Sequence, residues 1–171
     1  MDDDTVRRLG AKLFGKKTSD VDAALTAVEP LFPLSPRFRE ILVEFGGAVV
    51  FDNGAKYKPD EATPFTKVDG YNSLEMLYGL GSEKNSITKA LLRHKRELPL
   101  HFVPIGEAPG GNLLCVNAAG GVFLWDHESE RGDGVWQVAA SLDHFLEGLE
   151  PDESDFGNTK GIVEAESFLD F

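Results

Sequence analysis

The stretch FVPIGEAPGGNLLCVNAAGGVFLWDHESERGDGVWQVA, residues 102–139, decides the fold. It holds four extended-looking segments, FVPIG, NLLCVN, VFLWDHE and VWQVA, parted by EAPGG, AAGG and SERGDG. Val, Ile, Leu, Phe and Trp favour strands, and the glycine-rich links favour turns. Links this short cannot hold a crossover helix, so neighbouring segments are expected to pair antiparallel as a meander.

On either side the period changes to that of helices. Downstream, SLDHFLEGL places Leu142, Phe145, Leu146 and Leu149 at helical spacing behind Ser141 as a cap. Upstream, NSITKALLRHKREL offers Ser86 as a cap and Pro99 as a stop. LSPRFREILVEFGG carries the fullest helix grammar: Ser35 caps, Pro36 opens the first turn, Phe38, Ile41, Leu42 and Phe45 share a face, and Gly46 ends it. TSDVDAALTAVEPLF predicts a helix capped by Ser19, and residues 6–14 offer only a turn or two. AVVFDNGAKYK reads as a β-hairpin around Asn53-Gly54. TKVDGYNSLEMLYGLG fits strand and helix alike. Helices, then strands, then a helix give an α+β single domain with an antiparallel meander sheet flanked by N-terminal helices and a C-terminal helix.

The chain has 171 residues, 42% of them hydrophobic, enough for one core without staples. The single Cys115 cannot form an internal disulfide. No apolar run approaches the roughly 20 residues of a membrane helix, and MDDDTVRRLG lacks the features of a secretory signal, so a soluble, cytoplasmic protein without membrane contact is expected. A formal charge of −12 argues against direct nucleic-acid binding and favours a basic protein partner. Residues 150–171 hold seven acids against Lys160 and read as an acidic tail.

The most chemical segment is VFLWDHESE, residues 122–130. In a strand, Val122, Leu124, Asp126 and Glu128 face one way and Phe123, Trp125 and His127 the other. Asp126 and His127 then diverge, which does not suit a metal that needs three or four convergent ligands. The alternation fits a strand leaving the core and acquiring a charged rim. His94 lies in the basic end RHKR of its helix, suited to the helix dipole, and His101 and His144 have no spaced partner. Cys115 sits among apolar neighbours with nothing to lower its pKa. GEAPGGN lacks the Lys-Ser/Thr of a phosphate loop and precedes a strand, so it and GLGS at 79–82 read as turns. No catalytic residues, cofactor or metal are expected.

The series SPRFREILVEFGGAVVF, LYGLG, FVPIGEAPGGNLLCVN, GGVFLWDHE and VAASLDHFLEGL resembles the SUKH superfamily, which includes fungal cell-wall-assembly regulators and many bacterial immunity proteins. The resemblance spans residues 18–149, leaving an extension at 1–17 and the tail at 150–171. It implies an α+β fold and binding without catalysis, since no shared catalytic residues come with it. It also implies a cognate protein toxin, often one acting on nucleic acid, neutralised by occlusion. Gly110, Gly111, Asn112, Trp125 and Phe145 then serve the fold.

The expected contact residues are Asp126, Glu128, Glu130, Asp133 and Trp136 on the rim, with Asp152, Glu153 and Asp155 as a second acidic group; Trp136 suits the core equally. Two other readings stand beside an immunity protein. One is a regulatory interaction module of the cell-wall-assembly type without a toxin. The other is a metal-dependent hydrolase using Asp126, His127 and Glu128.

Overall fold

Seven strands join in one antiparallel sheet, and the glycine-linked segments of residues 102–139 form its regular half. The computed structural model describes residues 3–129 and 134–153. In chain order the elements are α1 (Asp3–Leu9), β1 (Ala11–Phe14), α2 (Val21–Val28), α3 (Pro36–Phe45), β2 (Ala48–Phe51), β3 (Lys56–Tyr57), β4 (Asn72–Ser73), β5 (Met76–Leu77), α4 (Ile87–His94), β6 (Val103–Glu107), β7 (Leu113–Val116), β8 (Val122–Trp125), β9 (Val135–Ala139) and α5 (Leu142–Glu147). The sheet order is β1-β2-β5-β6-β7-β8-β9, and β3 and β4 form a separate pair.

As the sequence predicts, β6 to β9 form a meander in which each strand pairs antiparallel with the next. The β6–β7 link turns on Gly110 and Gly111, both in the left-handed region at φ 81° and 80°, where a side chain costs conformational energy. Asn117 closes the β7–β8 link by accepting the Gly121 N–H on Oδ1 at 2.9 Å.

Register explains how both faces are used. Leu13, Val49, Leu77, Gly106, Leu114, Leu124 and Trp136 lie opposite one another on successive strands, so they share a face. On that side Ile41 and Phe45 of α3 and Leu146 of α5 surround a small apolar cavity with Val49 and Leu77. Arg37 of α3 reaches Glu147 of α5 at 3.2 Å. Met76, Glu107, Leu113, Trp125 and Val135 occupy the other face. There α4 packs on β6, and its His94 meets Trp125 edge-on.

Caps set the helix ends. Ser35 accepts the Phe38 N–H, Ser86 the Lys89 N–H and Ser141 the His144 N–H. Gly46 ends α3 at φ 62°, its N–H donating to Leu42 C=O. In α2 the cap is Asp20 and not Ser19: the Asp20 carboxylate accepts the Ala23 N–H at 3.0 Å.

The expected β2–β3 hairpin does not form. The chain does turn at Asn53-Gly54, with Gly54 at φ 71° and its N–H on Phe51 C=O. However, β2 pairs with β1 and β5, and β3 pairs with β4. Residues from the N-terminus occupy the edge of β2 that a hairpin would use: Asp52 and Asn53 donate their N–H groups to Gly10 and Leu9, and the Asn53 side chain donates to Arg8 C=O. A local turn signal fixes where the chain bends, while longer-range pairing chooses its neighbour. Residues 11–14 thus join the main sheet as β1, and α1 before them ends at Leu9, only 2% exposed. The ambiguous stretch after Thr66 resolves into β4 and β5.

Gly79 follows β5 and is more than a turn. A Cβ there would lie 1.9 Å from the carbonyl carbon of Gly47, so the two backbones touch where β2 and β5 meet.

Candidate partner-binding site at the end of β8

β8 leaves the core at Trp125. Asp126 donates its N–H to Gly134 C=O at 2.9 Å, adding one rung beyond the strand, and its own C=O accepts the Ser129 N–H at 3.1 Å. Its Oδ1 accepts the Glu128 N–H at 3.0 Å, the short-range bond by which an aspartate closes a turn on itself. Asp126 is half-buried, and the Glu128 side chain is 83% exposed. The rim expected from the sequence therefore includes an acid that shapes the turn and an acid that faces solvent.

His127 turns toward a different element. Its Nδ1 lies 3.1 Å from Oδ1 of Asn112, and because an amide oxygen only accepts, Nδ1 carries the proton and donates. Asn112 is buried and donates its Nδ2–H to Pro109 C=O, so the β6–β7 turn holds the ring. Nε2 of His127 stands 3.7 Å from the Glu128 carboxylate. Asp126 closes its own turn while His127 turns to Asn112, and among the described residues no three His, Cys, Asp or Glu side chains converge on a common point.

Trp125 is buried between two imidazoles, with His94 at 5.8 Å and His127 at 6.2 Å between ring centroids. Burial, then the charge of Arg93, lowers the His94 pKa, against the opposing pull of Glu97 and Glu107; His127 adds slightly to the lowering. The Glu97 carboxylate is 3.9 Å from His94 Nδ1. Beside these groups opens a cleft of about 370 Å³ lined by Glu97, Leu98, Pro99, Trp125, Asp126 and His127, with Ser129 at its edge.

The other candidates separate. Trp136, on β9, is 4% exposed and lies opposite Leu124. Asp152 is 3% exposed: its N–H donates to Asn53 C=O, and its carboxylate lies 3.8 Å from Lys67 Nζ, so it latches the chain's exit to the turn after β2. Glu153 is exposed. Glu130, Asp133 and Asp155 lie outside the described residues. Cys115 is fully buried in β7, and burial pushes its thiol pKa up, away from the reactive thiolate. His101 and His144 are exposed on other elements.

Sequence reading missed the wall formed by residues 97–99 and the contact between His127 and Asn112. Fifteen residues separate the latter pair, and no motif links them. Only the meander itself signals the contact, because antiparallel pairing of β7 and β8 brings the start of one beside the end of the other.

Among known proteins, the chain is similar to the SPbeta prophage-derived uncharacterized protein YokK of Bacillus subtilis (strain 168). The two are 30% identical over 131 residues, 69% of this chain and 68% of the relative. The sequence model of the SMI1 / KNR4 family (SUKH-1) matches residues 22–148, from the second residue of α2 to the residue that caps the end of α5. With most of its length matched, and with the meander and flanking helices in place, the chain belongs to the SMI1/KNR4 family (SUKH-1).

Proposed function

We propose that this protein is a non-catalytic, cytoplasmic immunity protein that neutralises a cognate toxin by covering it with an acidic surface around the end of β8. The observation that carries this reading is the family match over residues 22–148. The formal charge of −12 supports the kind of partner: a toxin acting on nucleic acid exposes Lys and Arg around its active site, and an acidic inhibitor is steered toward them. Such steering raises association from about 10⁵–10⁶ M⁻¹s⁻¹ to roughly 10⁸ M⁻¹s⁻¹ or more at low salt.

Within the described residues, Asp126 and Glu128 are the rim acids of this surface, with Glu153 as a second exposed acid. Glu130, Asp133 and Asp155 complete the two acidic groups in the proposal. The cleft beside β8, with Leu98 and Pro99 in its wall, supplies a concave, partly apolar centre, which an interface needs because rim charges contribute little affinity.

The test is co-expression with the product of the adjacent gene, followed by stopped-flow binding at several salt concentrations. A stable complex whose association slows at least ten-fold on joint reversal of Asp126, Glu128 and Asp133 to Lys, with a flatter salt dependence, supports the reading. A complex with unchanged kinetics removes this surface. Absence of any complex with that product favours a regulatory interaction module instead.

A further inference from the structure

The two edges of the main sheet are treated differently. Beyond β9, Asp60 and Glu61 donate their N–H groups to Val138 and Gln137, so residues 60–61 cover that edge. At the opposite end, β1 has a hydrogen-bonded neighbour on one side only among the described residues, namely β2. Asp52 N–H bonds to Gly10 C=O, and antiparallel bonding alternates along a strand. Lys12 and Phe14 therefore spend their backbone groups on β2, and the N–H and C=O of Ala11 and Leu13 point outward. Leu13 and Phe14 are 36% and 49% exposed. An edge of this kind is a template for another strand.

Position, pattern and charge name one occupant. The last described residues lie at the start of β1, since Asp152 N–H bonds to Asn53 C=O and Asn53 N–H to Leu9 C=O. The chain continues from there as far as IVEAESFLDF, residues 162–171. Residues 154–161 extend to at most about 29 Å, about twice the roughly 13 Å length of a four-residue strand. Read with period two, Val163, Ala165, Ser167, Leu169 and Phe171 fall on one face, and Glu164, Glu166 and Asp170 fall on the other with Ile162 and Phe168. The edge they would meet is basic: Lys12, Lys16 and Lys17 are exposed, and Lys12 already holds Asp52 at 2.6 Å.

We propose that residues 162–171 dock in cis as an added strand on the open edge of β1, with their acids toward Lys12, Lys16 and Lys17 and their apolar face continuing that of Ala11 and Leu13. The segment shields an edge that would otherwise pair with another chain. This inference does not depend on a toxin partner.

Backbone amide hydrogen exchange on the full chain tests it with an internal control. Lys12 and Phe14 amides are held by β2 in any case and report that the sheet is intact. Ala11 and Leu13 amides are held only when the open edge is occupied. The expected result is exchange at Ala11 and Leu13 at least ten-fold slower in the wild-type chain than in the Ala165→Pro, Ser167→Pro variant, with Lys12 and Phe14 unchanged. Joint Glu164→Lys and Glu166→Lys substitution lowers the same protection. Equal, fast exchange at Ala11 and Leu13 in wild type and proline variant overturns the proposal. So does protection that survives the prolines and grows with protein concentration, which assigns the edge to a second copy.

Discussion

Strands β6 to β9 follow one another in the chain and in space, whereas β1, β2 and β5 come together from residues 11–77 across two helices and a separate strand pair. In the first half every pairing is a neighbour's choice, set by links of a few residues. In the second half each pairing closes a longer loop, and its specificity comes from shape: the backbone contact of Gly47 with Gly79, and the latch of Asn53 onto residues 8 and 9. Local pairing can be read from turn residues, but distant pairing has to be inferred from what fits.

Breaking the junction of β2 with β5 is expected to have the largest effect. Gly79→Ala places a methyl group 1.9 Å from a backbone carbon that cannot rotate away, so β2 and β5 must part. A loss of about 4 kcal/mol is expected, at the upper end for a single substitution, together with early loss of amide protection in β1 and β2 while β7 and β8 stay protected. Urea denaturation followed by hydrogen exchange measures both. Uniform loss across the sheet would show that β1 and β2 do not separate from the rest.

Within the meander, Leu124→Ala removes a fully buried side chain from the row that crosses the sheet. About 3 kcal/mol is expected. Unlike the junction variant, it should unfold the molecule as one unit, because the row continues through Leu114, Gly106 and Leu77 into the other half.

The smallest effect concerns pH. His94 has a lowered pKa, chiefly from burial, so its neutral form is favoured in the native state. Its contribution to stability is present above the unfolded imidazole value of about 6.5 and is lost as pH falls through the lower native value. Glu97 and Glu107 moderate the loss by favouring the charged form, while Arg93 and His127 oppose it. Melting curves between pH 7.5 and 5 should therefore show a decline that His94→Gln reduces. A decline of equal size in that variant would move its origin to other groups.

The meander, the caps Ser35, Ser86 and Ser141 and the apolar face of α3 were legible because each is a local matter of turn chemistry, capping and periodicity. The rim acids Asp126 and Glu128 were legible for the same reason, since alternation shows where a strand leaves its core. The failed hairpin marks the limit: Asn53-Gly54 does turn the chain, but β1 outcompetes β3 for β2. Trp136 and Asp152 mark it too. Nothing in their neighbours along the chain shows that one lies opposite Leu124 and the other beside Asn53.

The sequence by itself determined the α+β class, the order of the elements from α4 to α5 and the acidic character, because short-range sterics and composition suffice for these. Only the tertiary structure decided that residues 11–14 complete the sheet, that His127 is held by Asn112, and that a cleft opens beside Trp125. Each of these depends on groups far apart in the chain, whose meeting is selected by packing of the whole core and written in no single segment.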